Sequence, residues 1–493
     1  MRLISFMTSH VYTSIIIGTG FSGIAMGISL LNKGINDFII LEKASAIGGT
    51  WRENTYPGAE CDIPSALYSY SFEPYPKWKY KWSMQPQILE YINHVADKYN
   101  LHSHILFEQE LNTASWDDMT SIWSLQTKQG QSFKCKTVIS AIGQLHHPST
   151  PSILGQDSYT GESWHSAQWN HDVPLHGKTV GIIGNAASAV QLIPEVAKEA
   201  SELIIFQRSS NWMLPKQDRA YRGWEKKLVA KIPFLLRLYR LKIWMLGGAL
   251  YFLMTKGNGL LRKFYQRKSI DFIKKHIKDK SLIKILTPAY PMGAKRVLFS
   301  DTYYPTLAKE NVNINSAGVK EIKSRSVVSN DGQEYDLDVL IYATGFKTNP
   351  FLLGLDIRGK NGITIKEHWK DGPKTYLGIM TDKFPNFFMM YGPNTNLGHN
   401  SIIIMSESQA NYIAQCIDML NKTENKSMEV KEAILSSYHT ELQKRLDNMI
   451  WSGIEQSWYK SPSGSITNNY PGRTMEYMRR TKSVNFSEYD LKN

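Results

Sequence analysis

The chain has 493 residues, 42% of them hydrophobic and 20% charged, with a net charge of +13. That length and balance describe a globular protein of two or three domains with a large core, and exclude a disordered or fibrous chain. Three widely separated cysteines, Cys61, Cys135 and Cys416, with no C-x-x-C pair, exclude a disulfide framework and a redox-active dithiol, so a reducing cytoplasm is the expected setting.

Met1 to His10 reads as an extension ahead of the first strand, with Met7 an alternative start and nothing resembling a signal peptide. Ile15, Ile16 and Ile17 form a short apolar run suited to a buried parallel strand, and Gly18, Gly20 and Gly23 follow with the G-x-G-x-x-G spacing. Gly18 allows the tight turn, Gly20 lets the backbone approach a pyrophosphate, and Gly23 lets the following helix pack on the strand. The diphosphate then meets a helix N-terminus, where free N–H groups and the macrodipole favour negative charge. A second apolar run, Phe38 to Leu41, ends in Glu42, about 20 residues past the last glycine, where an acid binds a ribose hydroxyl pair. Strand, glycine turn, helix, second strand and acid in register predict a bound dinucleotide.

Gly48-Gly49-Thr50-Trp51 comes next, followed by Tyr56-Pro57-Gly58 and then Asp62. A G-G-T-W run, a Y-P-G and an Asp eleven residues beyond the Trp resemble the class B flavin monooxygenases, and within them the Baeyer–Villiger type. The resemblance implies that Gly49, Thr50 and Trp51 line FAD, that Asp62 lies near the reactive edge of the flavin, and that Tyr68 contacts it. Gln87 to Tyr99 has helical periodicity, and strands are expected at Ile105–Glu110, Ile122–Thr127 and Thr137–Ala141. The family's fingerprint, F-x-G-x-x-x-H-x-x-x-W and then Pro or Asp, is matched at Gly161, His165 and Trp169, with Tyr159 in place of Phe and Asn170 in the last position. Trp169 favours the Baeyer–Villiger side over N- and S-oxidising relatives. His165 falls in the linker between nucleotide units, where a hinge-fixing hydrogen bond is the expected role.

A second unit begins at Lys178: Thr179 to Ile183 is the strand, and Gly184, Asn185, Ala187 and Ser188 occupy the turn, with Ala186 and Ala189 in the second and third glycine positions. Ala189 is an ordinary variant, whereas the methyl of Ala186 pushes a pyrophosphate outward. The next strand ends in Gln207-Arg208-Ser209, and a cation where the first unit has an acid suits a 2′-phosphate, so NADPH is expected over NADH. From Asn211 to about Pro291 a helical insertion interrupts the pattern. Between Arg222 and Lys284 stand 17 Lys or Arg against three acids, a net of +14, leaving the remainder near −1. No recognised nucleic-acid motif accompanies this charge. A peripheral contact of residues 226–256 with anionic lipid is weighed against a helical subdomain with its charges in water. The longest uncharged run is too short to span a membrane.

Gly293-Ala294-Lys295-Arg296 also resembles the family, where the Lys joins the 2′-phosphate site and the Arg stands over the flavin. Val339 to Phe346 is a buried strand ending in the A-T-G turn common to two-dinucleotide flavoproteins. Pro385 to Gly392 is the last strand, and the turn that follows, with Thr395 a candidate FAD contact, leads into a helix from Ser401 to Leu420. Ser457-Trp458-Tyr459 and Tyr470-Pro471-Gly472 resemble the family's C-terminal region.

The expected fold is α/β, with two Rossmann-like dinucleotide-binding domains for FAD and NADP and a helical insertion. The expected segments are 10–148 and 381–493 for FAD, 149–212 and 292–380 for NADP, and 213–291 for the insertion. The resemblance implies an FAD- and NADPH-dependent monooxygenase acting on a small lipophilic organic substrate and dioxygen through a C4a-peroxyflavin, with Arg296 and Asp62 catalytic and no metal. Ketone insertion to an ester or lactone leads. N- or S-oxygenation and long-chain hydrocarbon hydroxylation are its alternatives within the family, and a non-catalytic redox sensor is the alternative from another class.

Overall fold

The computed structural model describes residues 10–257, 259–454, 459–461 and 464–493. Met1 to residue 9 and the Ser457-Trp458 pair lie outside the described residues. Two sheets, one mixed and one parallel, organise the chain. The first is built on Val11–Ile17, which pairs in parallel with Phe38–Leu41 on one side and with Ser132–Ser140 on the other. Ile15, Ile16 and Ile17 are buried; a fully buried side chain of this size stabilises the fold by about 1.5–3 kcal/mol relative to an exposed one. Leu111–Asp117 and Ile122–Thr127 extend the sheet in antiparallel fashion, and Asp356–Arg358 closes that edge. The second sheet is parallel throughout, in the order Val312–Asn315, Glu202–Phe206, Thr179–Ile183, Val339–Tyr342, Glu162–His165. The helix Phe21–Asn32 covers the first sheet and meets the long helix Ile402–Lys422, with the Ser22 and Ser406 hydroxyls 3.0 Å apart.

The helix Gln85–Lys98 buries Ile88, Tyr91, Ile92, Val95 and Ala96, the periodic positions of its sequence. Other expectations need correction. The strand expected through Glu110 stops at Leu106, because Glu108 takes a left-handed conformation (φ +56°) and turns the chain. The strand expected over Pro385 to Gly392 shrinks to Phe387–Met389, between Asn386 and Tyr391, both at positive φ. Residues 162–165 are an edge strand of the second sheet rather than a free linker. The chain rejoins the first sheet at Asp356, ahead of the boundary expected at 380.

The insertion leaves and re-enters through a two-stranded parallel ribbon, Met213–Leu214 with Leu298–Phe299. It holds the helices Gly223–Lys231, Pro233–Leu250, Gly259–His276 and Lys280–Leu286. Arg240, in the second of these, donates to the carbonyls of Ala66, Leu67 and Ser69 at 2.7–3.2 Å, which fixes the insertion to the aromatic loop around Tyr68. Its charge is therefore not one of a solvated face.

Candidate active site

The C-terminal ends of both sheets open into one cleft of about 400 Å³. The first nucleotide unit lines it with Gly18, Gly20, Glu42, Gly49, Thr50 and Trp51, and the second with Ala187, Ser188 and Gln191. Asp62, Tyr68 and Arg296 stand between them. A cleft at the carboxyl ends of parallel strands is where this class of sheet binds ligands, because helix N-termini converge there.

The glycines divide the work. A Cβ on Gly23 would lie 1.8 Å from the Gly18 carbonyl oxygen, so this glycine sets how closely helix and strand approach. A Cβ on Gly20 would meet only the Cα of Gly49, at 3.8 Å, and Gly49 itself has φ +52°. Two stretches of bare backbone therefore meet at the cleft wall with no side chains between them, which suits the close approach of a diphosphate. Glu42 is buried; its carboxylate accepts from the Thr19 amide (2.9 Å) and hydroxyl (2.6 Å), from the Ala44 amide (3.0 Å) and from Arg52 (3.0 Å). Arg52 is a site residue that sequence reasoning missed. Trp51 donates its indole N–H to the Tyr68 hydroxyl at 3.1 Å, joining two expected flavin contacts.

In the second unit Gly184 is held at φ +111° against the Ala343 carbonyl. Asn185 is turned away from the cleft, donating to Gln207 (2.8 Å) and to the Ser209 carbonyl (2.6 Å), so it braces the turn. Arg208 and Ser209 are exposed just past the strand Glu202–Phe206. Burial lowers the pKa of Lys295, and the positive charge of Arg208 lowers it further, which places the two cations near one another. Neither has a carboxylate partner among the described residues. Two neighbouring cations without a carboxylate partner would favour an anion, and Lys295 is held over the Tyr290 ring at 4.8 Å.

Arg296 donates to the Asp62 carboxylate and lines the cleft with 37% of its side chain accessible. Burial works against its charge, but Asp62, followed by Tyr459 and Cys61, more than offsets this and holds the guanidinium protonated. Tyr459, from the C-terminal stretch that resembles the family, stands beside Arg296; Tyr391, also beside it, was not singled out by sequence reasoning, which has no signal for a lone tyrosine. Thr395 needs correction as a flavin contact: its side chain is buried, its hydroxyl donates to the Gly392 carbonyl at 2.6 Å, and its neighbours Asn396 and Leu397 line the cleft instead. Gln191 ties the units together, accepting from the Tyr56 hydroxyl at 2.8 Å and donating to the Glu60 carbonyl at 2.9 Å.

The two departures from the fingerprint are absorbed structurally. The Tyr159 hydroxyl donates to the Leu337 carbonyl at 3.0 Å, and Asn170 caps its own turn by accepting from the Asp172 amide at 3.0 Å. His165 is buried, accepts from the Ala167 amide at 3.1 Å, and lies outside the cleft lining.

In the cleft wall, Glu60 pairs with Lys216 at 2.5 Å. Burial raises the pKa of Glu60, Lys216 opposes this, and Asp218 and Asp62 reinforce it. A carboxyl with a raised folded pKa stabilises the fold most below its unfolded value, and that contribution is lost as pH rises through the folded value. Lys216→Met removes the opposing cation and raises Glu60 further. Its melting temperature should therefore fall little near about pH 5 and more by about pH 8, at roughly 1.4 kcal/mol per added pKa unit. Thermal melts across pH check this; a loss of equal size at every pH would contradict it.

A family model described as pyridine nucleotide-disulphide oxidoreductase matches residues 15–231. The three cysteines are buried and unbonded, so no dithiol accompanies that match. A Baeyer-Villiger monooxygenase of Pseudomonas aeruginosa is 38% identical over 486 residues, covering 97% of this chain and 90% of the relative. The closed crystal structure of cyclohexanone monooxygenase superposes with a TM-score of 0.88 at 26% identity, over 99% of this chain and 100% of that one. OTEMO in complex with FAD and NADP superposes with a TM-score of 0.87 at 27% identity, over 97% and 99% of the two chains.

Proposed function

Because the chain belongs to the Baeyer–Villiger monooxygenase family, whose cofactors are FAD and NADPH, we propose that it inserts one oxygen atom from dioxygen into a ketone, giving an ester or lactone. The observation that carries this reading is the Arg296–Asp62 pair in a cleft shared by both dinucleotide units. When bound, the flavin takes electrons from NADPH and delivers them to dioxygen. The chain's own residues do the rest. Gly18, Gly20 and Gly49 give the FAD diphosphate an open backbone cradle. Trp51 and Tyr68 wall the flavin end, and Asp62 fixes the orientation of Arg296. The guanidinium offers a fixed positive charge to the negative charge that develops during oxygen transfer, in a site where few waters compete. Incubating the FAD-loaded enzyme with a mixed panel of ketones and sulfides tests the reading. Esters or lactones are expected, and sulfoxides alone would favour heteroatom oxidation.

Arg208 and Lys295 are assigned to the 2′-phosphate of NADPH. Replacing either by Ala removes a charge-assisted contact of about 1.5–3 kcal/mol. The KM for NADPH should then rise roughly 10- to 150-fold while that for NADH barely moves. Equal changes for both nucleotides would contradict the assignment.

We further propose that the insertion meets an anionic lipid surface. Among the described residues no helix is long and apolar enough to cross a membrane. Phe234, Leu238, Leu241 and Met245 are nonetheless exposed at i, i+4, i+7 and i+11 of one helix, with Arg237 and Lys242 beside them. An apolar stripe flanked by cations suits the headgroup boundary. Replacing Phe234, Leu238 and Leu241 by Gln should abolish co-flotation with phosphatidylglycerol vesicles; unchanged flotation would refute the contact.

A further inference from the structure

A second cavity, of about 300 Å³, lies between the aromatic loop and the first two helices of the insertion, and shares no lining residue with the cofactor cleft. Its wall is a short antiparallel bridge, in which the Lys81 amide donates to the Arg219 carbonyl (3.0 Å) and the Tyr221 amide to the Lys79 carbonyl (2.8 Å). Val229, Leu235 and Leu236 supply aliphatic surface, and Trp224 and Leu228 both line the cavity and reach solvent, which marks them as its mouth. A cavity of this size with an apolar lining and a few polar groups has the dimensions of a small-ligand site.

The charges at the cavity specify the occupant. Glu225, its single acid, is already taken up by two bonds from Arg219 at 2.6 and 2.7 Å. Lys81 and Lys226 are half-buried there and have no carboxylate partner among the described residues. A cationic amphiphile would meet repulsion from both lysines, and a neutral hydrocarbon would leave them without a counter-charge.

We propose that this cavity is a second binding site, separate from the active site, for an amphiphile with an unbranched aliphatic chain and an anionic oxygen head. The chain lies against Val229, Leu235 and Leu236, and the head lies within reach of Lys81 and Lys226. Such a molecule comes either free from solution, as a long-chain carboxylate, or from the lipid surface on which the neighbouring helix is placed. The cavity stands whether or not the oxygenation reading does.

The test uses FAD-loaded enzyme and calorimetric titration with monomeric dodecanoate, dodecyltrimethylammonium as a cation of the same chain length, and phosphatidylglycerol vesicles. Dodecanoate, the vesicles or both should bind saturably, and which of them does so identifies the source. The cation should bind at least tenfold more weakly than dodecanoate. Val229→Trp, which fills the cavity, should weaken anionic binding at least tenfold while NADPH-driven flavin reduction stays unchanged. Lys81→Gln combined with Lys226→Gln, which removes both positive charges and keeps similar chain lengths, should weaken it several-fold. The proposal is overturned if neither anionic probe binds the wild type, if Val229→Trp binds as the wild type does, or if the cation matches dodecanoate.

Discussion

Replacing Arg296 by Ala should leave FAD bound and NADPH oxidation measurable while product formation falls by a factor of roughly 10²–10³, the effect of removing one preorganised charge from a developing anion. The separation follows from placement. Arg296 belongs neither to the glycine turn assigned to the diphosphate nor to the Arg208–Lys295 pair assigned to the nicotinamide cofactor, so neither cofactor should depend on it for anchorage. What the variant loses is a guanidinium held by Asp62 at the meeting point of the two nucleotide units. Reducing equivalents then leave as hydrogen peroxide. Arg296→Lys should restore a minor part of the activity, since an ammonium keeps the charge but not the planar fork that Asp62 orients. Simultaneous measurement of NADPH consumption, peroxide and product checks the expectation. A variant that oxygenates at the full rate would remove Arg296 from the chemistry.

Gly23→Ala should cost the enzyme its flavin. The new methyl would sit 1.8 Å from the Gly18 carbonyl oxygen and 2.9 Å from its carbon, both backbone atoms, so no side chain can yield and the helix must move away from the strand. That movement displaces the N–H groups of the turn from the diphosphate. The expected outcome is a folded but largely colourless protein whose FAD affinity has fallen at least tenfold, equivalent to about 1.4 kcal/mol or more. The second unit carries a fully buried Ala189 at the corresponding position, so a methyl group is accommodated in that unit and the requirement at Gly23 is local to the first. Flavin absorbance after gel filtration, set against the circular dichroism of the same sample, measures the effect. Full retention of FAD would contradict the geometry.

The parts of this protein that sequence exposed are those where a backbone constraint leaves a residue-type signature. Ile15 to Ile17, the glycines at 18, 20 and 23, and Glu42 are local in the chain, and each is required by the geometry of one turn. Arg296 and Asp62 are 234 positions apart, and only their resemblance to a family motif brought them together ahead of the structure. The strand ends at Glu108 and Tyr391 were misjudged because each turns on a residue at positive φ whose type gives no warning of it, whereas Asn386 is of a type enriched in that conformation and was a legible signal. Arg240 looked like a break in an apolar run and proved to be an anchor donating to three carbonyls of the Tyr68 loop. Its partners are 171 to 174 residues away, so no window of sequence contains both sides of the interaction. Gln191 and Tyr391 were missed for the same reason: a lone polar side chain acquires its role from what the fold places beside it.

The measurement closest to the central claim is mass analysis of the products formed when FAD-loaded enzyme, NADPH and a panel of ketones react under ¹⁸O₂. The account predicts an ester or lactone heavier than its ketone by one oxygen atom, carrying one ¹⁸O, with the product lost in Arg296→Ala. NADPH consumption that ends in hydrogen peroxide with every ketone offered would contradict it.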